Sequence, residues 1–590
     1  MCGICGEVRF NGTPSSTRCV EKMTNALHLR GPDAQGIYVQ GAAALGHRRL
    51  KIIDLTERAQ QPMVDNELGL TIIFNGAIYN YEELRRTLEA KGYTFFSSGD
   101  TEVILKAYHA WGRDCVKRFN GMFAMAIYAR DRGRLFLARD RLGIKPLYYR
   151  QEPDAFRFAS SLPALIAGGG IEGDIDPVAL HHYMTFHAVV PAPHTILKGV
   201  RKLPPGETMT VDARGAVERE NYWQIAFGPR PEERTYKQPE WEALVRQVLR
   251  ESVRRRLTAD VPVGVLLSGG IDSSLVVGLL SELGQADITT FSIGFDAVDG
   301  EKGNEFEYSD RVAAHFGTRH HRIECKDRDV LTTIDECIAA MSEPMVSHDC
   351  IGFYLLSRSV AEHVKVVQSG QGADEIFGGY HWYPPLMESV DPLHDYAGHF
   401  FDRSHTEFAA AVDPRFVERD YSFEFVQAHF EARGAEAPID KALRIDTTVM
   451  LVDDPVKRVD NMTMAWGLEA RVPFLDHEVV EVAARIPAEY KIASGGKHVL
   501  KEAARPIIPA EVIDRPKGYF PVPALKHLQG DYLDFVTEIL RSPRTRERAL
   551  FNPEYVEHIL EAPEKHITPL KGSKAWQMAV LAYWLAAQGL

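Results

Sequence analysis

Hydrophobic and polar positions follow two different rhythms along this chain. Up to about Trp223, short apolar runs alternate with turn residues: LTIIFNG, GMFAMAIYARDRGRLFLARD and AFRFASS read as strands. The DRGR tetrapeptide at 131–134 reads as the turn of a hairpin. A polar, proline-rich stretch, AFGPRPEERTYKQPE at about 226–240, then reads as a linker. Beyond it the rhythm changes. PVGVLLSGG predicts a strand ending in glycines, DSSLVVGLLSELG a helix, TTFSIGF a strand, EYSDRVAAHFG a helix and HHRIE another strand. That alternation predicts a parallel sheet with crossover helices. From about 384 to 450 the chain is rich in aromatics, Asp and His without a clear period, and supports no assignment. The last apolar run, AWQMAVLAYWLAAQ, falls short of the roughly 20 residues a spanning helix needs and reads as a packed terminal helix.

Composition narrows the function classes. At 590 residues, 45% apolar and 25% charged, the chain can build several globular cores. Its net charge of −13 argues against nucleic acid as main partner, because phosphate backbones need a basic face. The N-terminus, MCGICGEVRFNGTPSS, lacks the apolar core of a secretory signal, and seven scattered cysteines read as cytosolic thiols. The expectation is a soluble, cytoplasmic protein without a membrane partner. A homodimer is left open.

Two strand ends carry candidate chemistry. SGGIDSS, 268–274, lies between an apolar strand and a helix, where glycines admit an anion and the helix N-terminus offers free N–H groups. It lacks the G-K-[ST] of a Walker loop. Ser268, Gly269, Gly270, Ser273 and Ser274 could hold pyrophosphate and Asp272 a Mg²⁺ ion; a plain helix cap after a tight turn fits the same residues. HVKVVQSGQGADEIFGGY, 363–380, is a second strand running into glycines with acids, Asp374 and Glu375. Ligands of open α/β sheets sit at the carboxyl ends of strands, which would set Asp272 and Asp374 on two sides of one ATP–Mg²⁺ site. The opening MCGICG leaves three readings: a zinc knuckle, a redox pair, or a nucleophile at Cys2 carrying its own base.

With these motifs the chain resembles the asparagine synthetase family, a class II glutamine amidotransferase domain followed by an ATP-pyrophosphatase-type synthetase domain. The matching stretches, in order, are MCGICG, LRGPD, GHRRLKIID, FNGAIYN, SGDTEVIL, GMFAMAIY, RDRLGIKPLYY, LLSGGIDSS, SGQGADEIFGGY and GLEARVPFLDH. The resemblance implies a two-domain α+β and α/β protein: an N-terminal Ntn-hydrolase αββα sandwich of antiparallel sheets over 2–223, a linker over 224–240, and a Rossmann-like domain with a parallel sheet over 241–590, with 384–450 as an unassigned insertion. It implies that the initiator Met is removed and that the freed amine of Cys2, with an ordinary pKa of about 7.7–8.0, activates the thiol against glutamine. Cys5 is then a small packed residue, since no further zinc ligands follow nearby. By resemblance Arg49 grips the glutamine α-carboxylate, Asn75 and Gly76 hold the amide and its oxyanion, and Asp100 takes the ammonium group. Leu266, Ile293, Ser369 and Gly370 match nucleotide-pocket positions, and Lys497 the lysine that counters phosphate charge; a solvated lysine at a helix start is the plainer alternative. Glutamine, ATP, Mg²⁺ and a carboxylate acceptor are the implied partners, with ammonia crossing through the interior.

Departures from the family pattern bear on glutamine affinity and on the acceptor. Ala77 stands where the family usually has Glu, which leaves Asp100 more of the ammonium. Gln371 replaces an acid, and EPMVSHDCIGFY, 343–354, carries Ser347, His348, Asp349 and Gly352 in an altered acceptor segment. SGQGADE, MSEPMVSHD and GYHWYPPL look most like the subgroup of N-acetylglutaminylglutamine amidotransferases, with His381, Trp382 and Tyr383 either an apolar acceptor wall or simply packed loop aromatics. The acceptor would then be N-acetylglutaminylglutamine; aspartate is the alternative. A non-catalytic glutamine or nucleotide sensor is the alternative from another class.

Overall fold

The computed structural model describes residues 2–10, 12–296, 303–515, 518, 522, 525 and 528–590. Two antiparallel six-stranded sheets fill the N-terminal third. In the first, the strand order is Arg201–Lys202, Tyr148–Gln151, Ala155–Ala159, Gly3–Arg9, Ala43–Arg49, Ala34–Gln40. In the second it is Val217–Asn221, Glu207–Val211, Arg134–Arg139, Gly121–Ala129, Leu70–Ile78, Met63–Asp65. Alternation decides which face is which. Ile4, Val8, Leu45, Ile73, Ala124 and Leu137 meet in one apolar layer between the sheets. Helix Thr17–Ala26 covers the outer face of the first sheet, and helices Tyr81–Glu89 and Asp100–Trp111 that of the second, giving the αββα sandwich. The expected hairpin is present: Ala129 pairs with Arg134 across a turn closed by Gly133 at φ 57°.

The C-terminal part holds a five-stranded parallel sheet, in the order Arg319–Cys325, Thr289–Phe295, Val263–Leu266, Val366–Gln368, Glu469–Arg471. Helix Ile271–Glu282 follows the central strand, and its apolar residues on all sides, Leu275 to Leu280, are buried. The polar stretch after Trp223 has one short helical turn, Pro231–Glu233, before helix Gln238–Arg255 starts. Glu233 is already buried there against Arg485, 3.0 Å away.

The unassigned stretch is helical. Helices Pro392–Phe400, Tyr421–Glu431 and Pro438–Ile445 pack into a separate core with Phe186 and Val189, while Phe408 of helix His405–Ala411 joins the large core instead. They are too short, and their neighbours too close on several sides, to leave a clean 3.6-residue stripe. Two π-helical turns, Asp446–Met450 and Val452–Val456, lead back to helix Lys457–Met464. The terminal helix Lys574–Ala587 is buried along most of its length, and among the described residues no helix is long and apolar enough to cross a membrane.

Candidate active sites

Cys2 sits at the head of strand Gly3–Arg9, 8% exposed at one end of the sandwich. Three positions on, extended backbone turns Cys5 to the opposite side, where its sulfur lies 3.2 Å from Thr24 Oγ1 in the core. The two thiols therefore do not form a pair, and both are free. Around Cys2 closes a small pocket of about 30 Å³, lined among others by Arg49, Gly76, Ala77 and Asp100. Asn75 Oδ1 accepts the Cys2 N–H at 3.1 Å, while its buried Nδ2 has no partner among the described residues. Gly76 is required where strands Leu70–Ile78 and Gly121–Ala129 touch, because a Cβ there would stand 2.1 Å from the Met122 carbonyl oxygen. Arg49 Nη1 donates to Thr56 O at 2.8 Å and Nη2 to Asp54 O, so the guanidinium is held in place on the pocket wall. Asp100 accepts the Ile78 N–H at 3.0 Å. Burial pushes its carboxyl up to about 6, with nearby Glu469 adding to the rise. Burial also raises the Cys2 thiol, and the chain's terminal charge, the Leu50 amide and Arg49 only partly offset it.

Two residues of this pocket come from the other half of the chain. Glu469 and Arg471, on the edge strand of the parallel sheet, line it beside Cys2 and Asp100. Burial alone would raise Glu469, yet the terminal charge, Arg471 and Lys145 hold it at about 2. Its Oε1 accepts from Arg471 Nε at 2.6 Å. Both residues lie in GLEARVPFLDH, but no sequence signal says that a strand of one domain floors the pocket of another. The same seam carries buried charges. Asp460 receives Arg30 at 2.9 Å and Lys145 at 3.0 Å, and Arg30 Nε donates to the Cys2 carbonyl at 3.3 Å. Tyr148 and Lys202 reach Glu343 across it, Lys202 at 3.1 Å and also 2.6 Å from Asp453.

A larger cavity of about 460 Å³ opens at the carboxyl ends of the parallel strands. Leu266, Ser268, Gly270, Asp272, Ser273, Ile293, Ser369, Gly370, Gln371, Asp374 and Lys497 all line it, as does Asp349. Gly269 lies in the same turn with φ 77°, and its backbone packs on Ser309. Ser274 is fully buried in helix Ile271–Glu282 instead. The loop is tied by Ser273 Oγ, which accepts the Ser268 N–H at 3.2 Å and lies 3.0 Å from Ser268 Oγ. Lys497 joins the two strand ends, its Nζ 2.7 Å from Asp272 Oδ2 and 2.9 Å from Asp374 Oδ1. Burial would lower this ammonium, but the two carboxylates raise it above the ordinary lysine range. Gly379 makes room for the contact: a Cβ there would meet Asp374 Oδ1 at 2.1 Å and Lys497 Cε at 2.3 Å. Lys501, one helical turn beyond, and Arg515, 2.9 Å from Glu305, add positive charge to the wall. Neither was marked by a motif.

The expected acceptor residues divide. Asp349 and Gln371 face the cavity, whereas Ser347 and His348 precede helix Asp349–Val360 and do not line it. Burial raises Asp349 to about 6, although Arg458, 3.7 Å away, pulls it down. Glu375, buried beside Asp374, is raised too. The apolar wall of His381, Trp382 and Tyr383 needs correction. Trp382 and Tyr383 belong to the helical core, Tyr383 donating to Asp446 at 2.6 Å, and the ring at the cavity is Tyr380. Tyr380 stacks on Trp382 at 4.3 Å and donates to Glu375 at 2.7 Å. Asp446 takes the hydroxyls of two buried tyrosines, Tyr383 and Tyr396, which holds Tyr383 in the helical core.

The two pockets are one step apart in the sheet. Gln368 pairs with Arg471, and the Ser369 N–H donates to the Arg471 carbonyl at 2.8 Å. The floor of the small pocket and the lip of the large one are thus adjacent strands.

Comparison with known proteins agrees with this division. Residues 1–223 match the glutamine amidotransferase domain model and residues 244–586 the asparagine synthase model. The chain is similar to asparagine synthetase [glutamine-hydrolyzing] 1 of Bacillus subtilis, with 32% identity over 99% of this chain and 96% of that one. It is also similar to asparagine synthetase [glutamine-hydrolyzing] 3 of the same organism, with 31% identity over 94% and 91%. Among solved structures it resembles glutamine phosphoribosylpyrophosphate amidotransferase from B. subtilis at 18% identity, over 49% of this chain and 65% of that one, with a TM-score of 0.29.

Proposed function

The chain belongs to the asparagine synthetase family, and from that premise we propose that it is a glutamine-dependent, AMP-forming amidotransferase. Once Met1 is removed, the Cys2 amine takes the thiol proton and the sulfur adds to the glutamine amide carbon. The Asn75 side-chain amide and the Gly76 backbone steady the oxyanion. The Cys2 ammonium gives its proton to the amide nitrogen as the intermediate collapses, so ammonia leaves and a thioester remains, which water hydrolyses to glutamate and free thiol. Arg49 fits the α-carboxylate. Asp100 and Glu469 are the acids available for the α-ammonium, so the synthetase half supplies the carboxylate that Ala77 lacks.

In the cavity, the acceptor carboxylate attacks the α-phosphate of ATP, pyrophosphate leaves, and ammonia then displaces AMP from the acyl-adenylate. Lys497, Lys501 and Arg515 offset phosphate charge, and the Ser268–Ser273 loop offers N–H groups at a helix start. The fit to Mg²⁺ rests on Asp272 and Asp374, two carboxylates from different loops already gathered on one cation, the Lys497 ammonium. Bound there, the ion would shield the phosphates. The observation that carries the reading is the shared sheet: strand Glu469–Arg471 floors the nucleophile's pocket while its neighbour ends in the cavity loop. An interior route for ammonia between the two pockets is part of this proposal and is carried over from the family.

The proposed acceptor is the C-terminal carboxylate of N-acetylglutaminylglutamine, supported by the neutral Gln371, which can donate to and accept from amides. Aspartate remains the second reading because Asp349 and Glu375 offer buried acids to an ammonium. Pyrophosphate release with glutamine, ATP, Mg²⁺ and a panel of carboxylates separates them. Release with acetyl-Gln-Gln alone supports the first and release with aspartate the second, while ADP and phosphate as products overturn adenylation.

A further inference from the structure

Apart from both pockets, three chain segments bring metal-ligating atoms together where helix Pro177–Thr185 meets the helical insertion. His181 lies inside that helix, 1% exposed at its side chain; His405 is the first residue of helix His405–Ala411; Asp420 caps helix Tyr421–Glu431. His181 Nε2 is 3.1 Å from His405 Nδ1 and 3.7 Å from Asp420 Oδ1. Among the described residues, this is the one group of three such side chains whose ligand atoms all lie within 4.8 Å of one another. Tetrahedral bonds of about 2.0–2.1 Å place ligand atoms about 3.3 Å apart, a value the two shortest separations bracket.

The surroundings prepare the imidazole. Ser422 Oγ lies 2.9 Å from His181 Nδ1 and 3.1 Å from His182 Nδ1. A proton on His181 Nδ1 donated to that hydroxyl leaves the Nε2 lone pair facing His405 and Asp420, the orientation an outer-shell partner gives a metal-bound histidine. Phe408, 4.4 Å away between ring centres, fixes the ring plane. Asp420 is 34% exposed at its side chain and gives a path from solvent and room for water as fourth ligand.

We propose that His181, His405 and Asp420 form a divalent-metal clip that ties helix Pro177–Thr185 to the insertion. Two imidazoles and one carboxylate suit Zn²⁺ or Co²⁺ rather than the Mg²⁺ of the phosphate site. The test uses the untagged full-length protein, stripped with a chelator and titrated with Zn²⁺ by calorimetry, with Co²⁺ absorption as the geometric readout. Wild type is expected to bind one tight equivalent with a tetrahedral Co²⁺ spectrum and a raised Tm. His405→Ala and Asp420→Asn, the latter keeping a good helix cap, are expected to weaken that equivalent by more than about 100-fold. Failure of wild type to take up the equivalent, or its survival at wild-type affinity in both variants, overturns the clip.

Discussion

The pocket at Cys2 and the cavity at Lys497 solve opposite problems. The first is about 30 Å³ and lined by charges already fixed by protein partners: Arg49 on two carbonyls, Glu469 on Arg471. The second is about 460 Å³ and built from strand-end loops whose two aspartates meet on one lysine. A small pocket with preset charges selects one amino acid by exact complementarity of ends. A large cavity must take nucleotide and acceptor in turn, so its charges are placed to be re-partnered. Preorganisation and adaptability sit on neighbouring strands of one sheet.

Substitutions should split the two sites. The largest effect is expected from Cys2→Ala, which lowers glutamine-driven amidation by a factor of roughly 10⁴ or more while ammonium-driven pyrophosphate release continues at the wild-type rate. Loss of both activities would mean that the pockets are not separable. The mirror experiment is Lys497→Ala. Adenylation should fall by about 10²–10³-fold and basal glutamine hydrolysis should hold, as assayed by glutamate release without acceptor.

Between the sites, Asp460→Asn removes the shared partner of Arg30 and Lys145 and leaves two buried cations uncompensated. A loss of about 3–5 kcal/mol is expected in denaturant unfolding, together with poorer coupling of glutamate formation to pyrophosphate release. An unchanged midpoint would show that the seam is not held by this cluster. Glu469→Gln is predicted to raise the KM for glutamine about tenfold without changing that for ATP; an unaltered KM would assign the ammonium to Asp100 alone.

The smallest effect is a pH dependence. Burial pushes the Asp100 carboxyl up to about 6, so the charged form proposed to bind the ammonium is half populated there and predominates only above that pH. Glutamine affinity of the Cys2→Ala variant, which has no nucleophile to titrate, should be level above pH 7 and fall about tenfold per pH unit well below 6. Asp100→Asn should erase that slope.

How far the residues announced this arrangement differs between the halves as well. Short apolar runs between turn residues gave the strands of the antiparallel sheets, whose central members are buried on both faces between the partner sheet and a covering helix, and glycine-terminated apolar strands gave the parallel sheet. Asp272 and Asp374 were legible because strand ends are local features, whereas Lys497 was reached only through the family resemblance. Glu469, Arg471, Lys501 and Arg515 were not, since their places depend on how separate segments pack. The insertion resisted reading for a related reason: Trp382, Tyr383 and Tyr396 turn inward toward Asp446, a partner no local pattern names.

The claim that nitrogen freed at Cys2 reaches an acid primed beside Lys497 has one direct measurement. The protein, with glutamine labelled with ¹⁵N at its amide, ATP, Mg²⁺, a mixture of acetyl-Gln-Gln and aspartate, and excess unlabelled ammonium, is followed by mass spectrometry of the amide product alongside pyrophosphate. Labelled amide in far greater amount than the labelled ammonium released to the medium could supply is the predicted result. An amide carrying only the unlabelled nitrogen of the medium would contradict it.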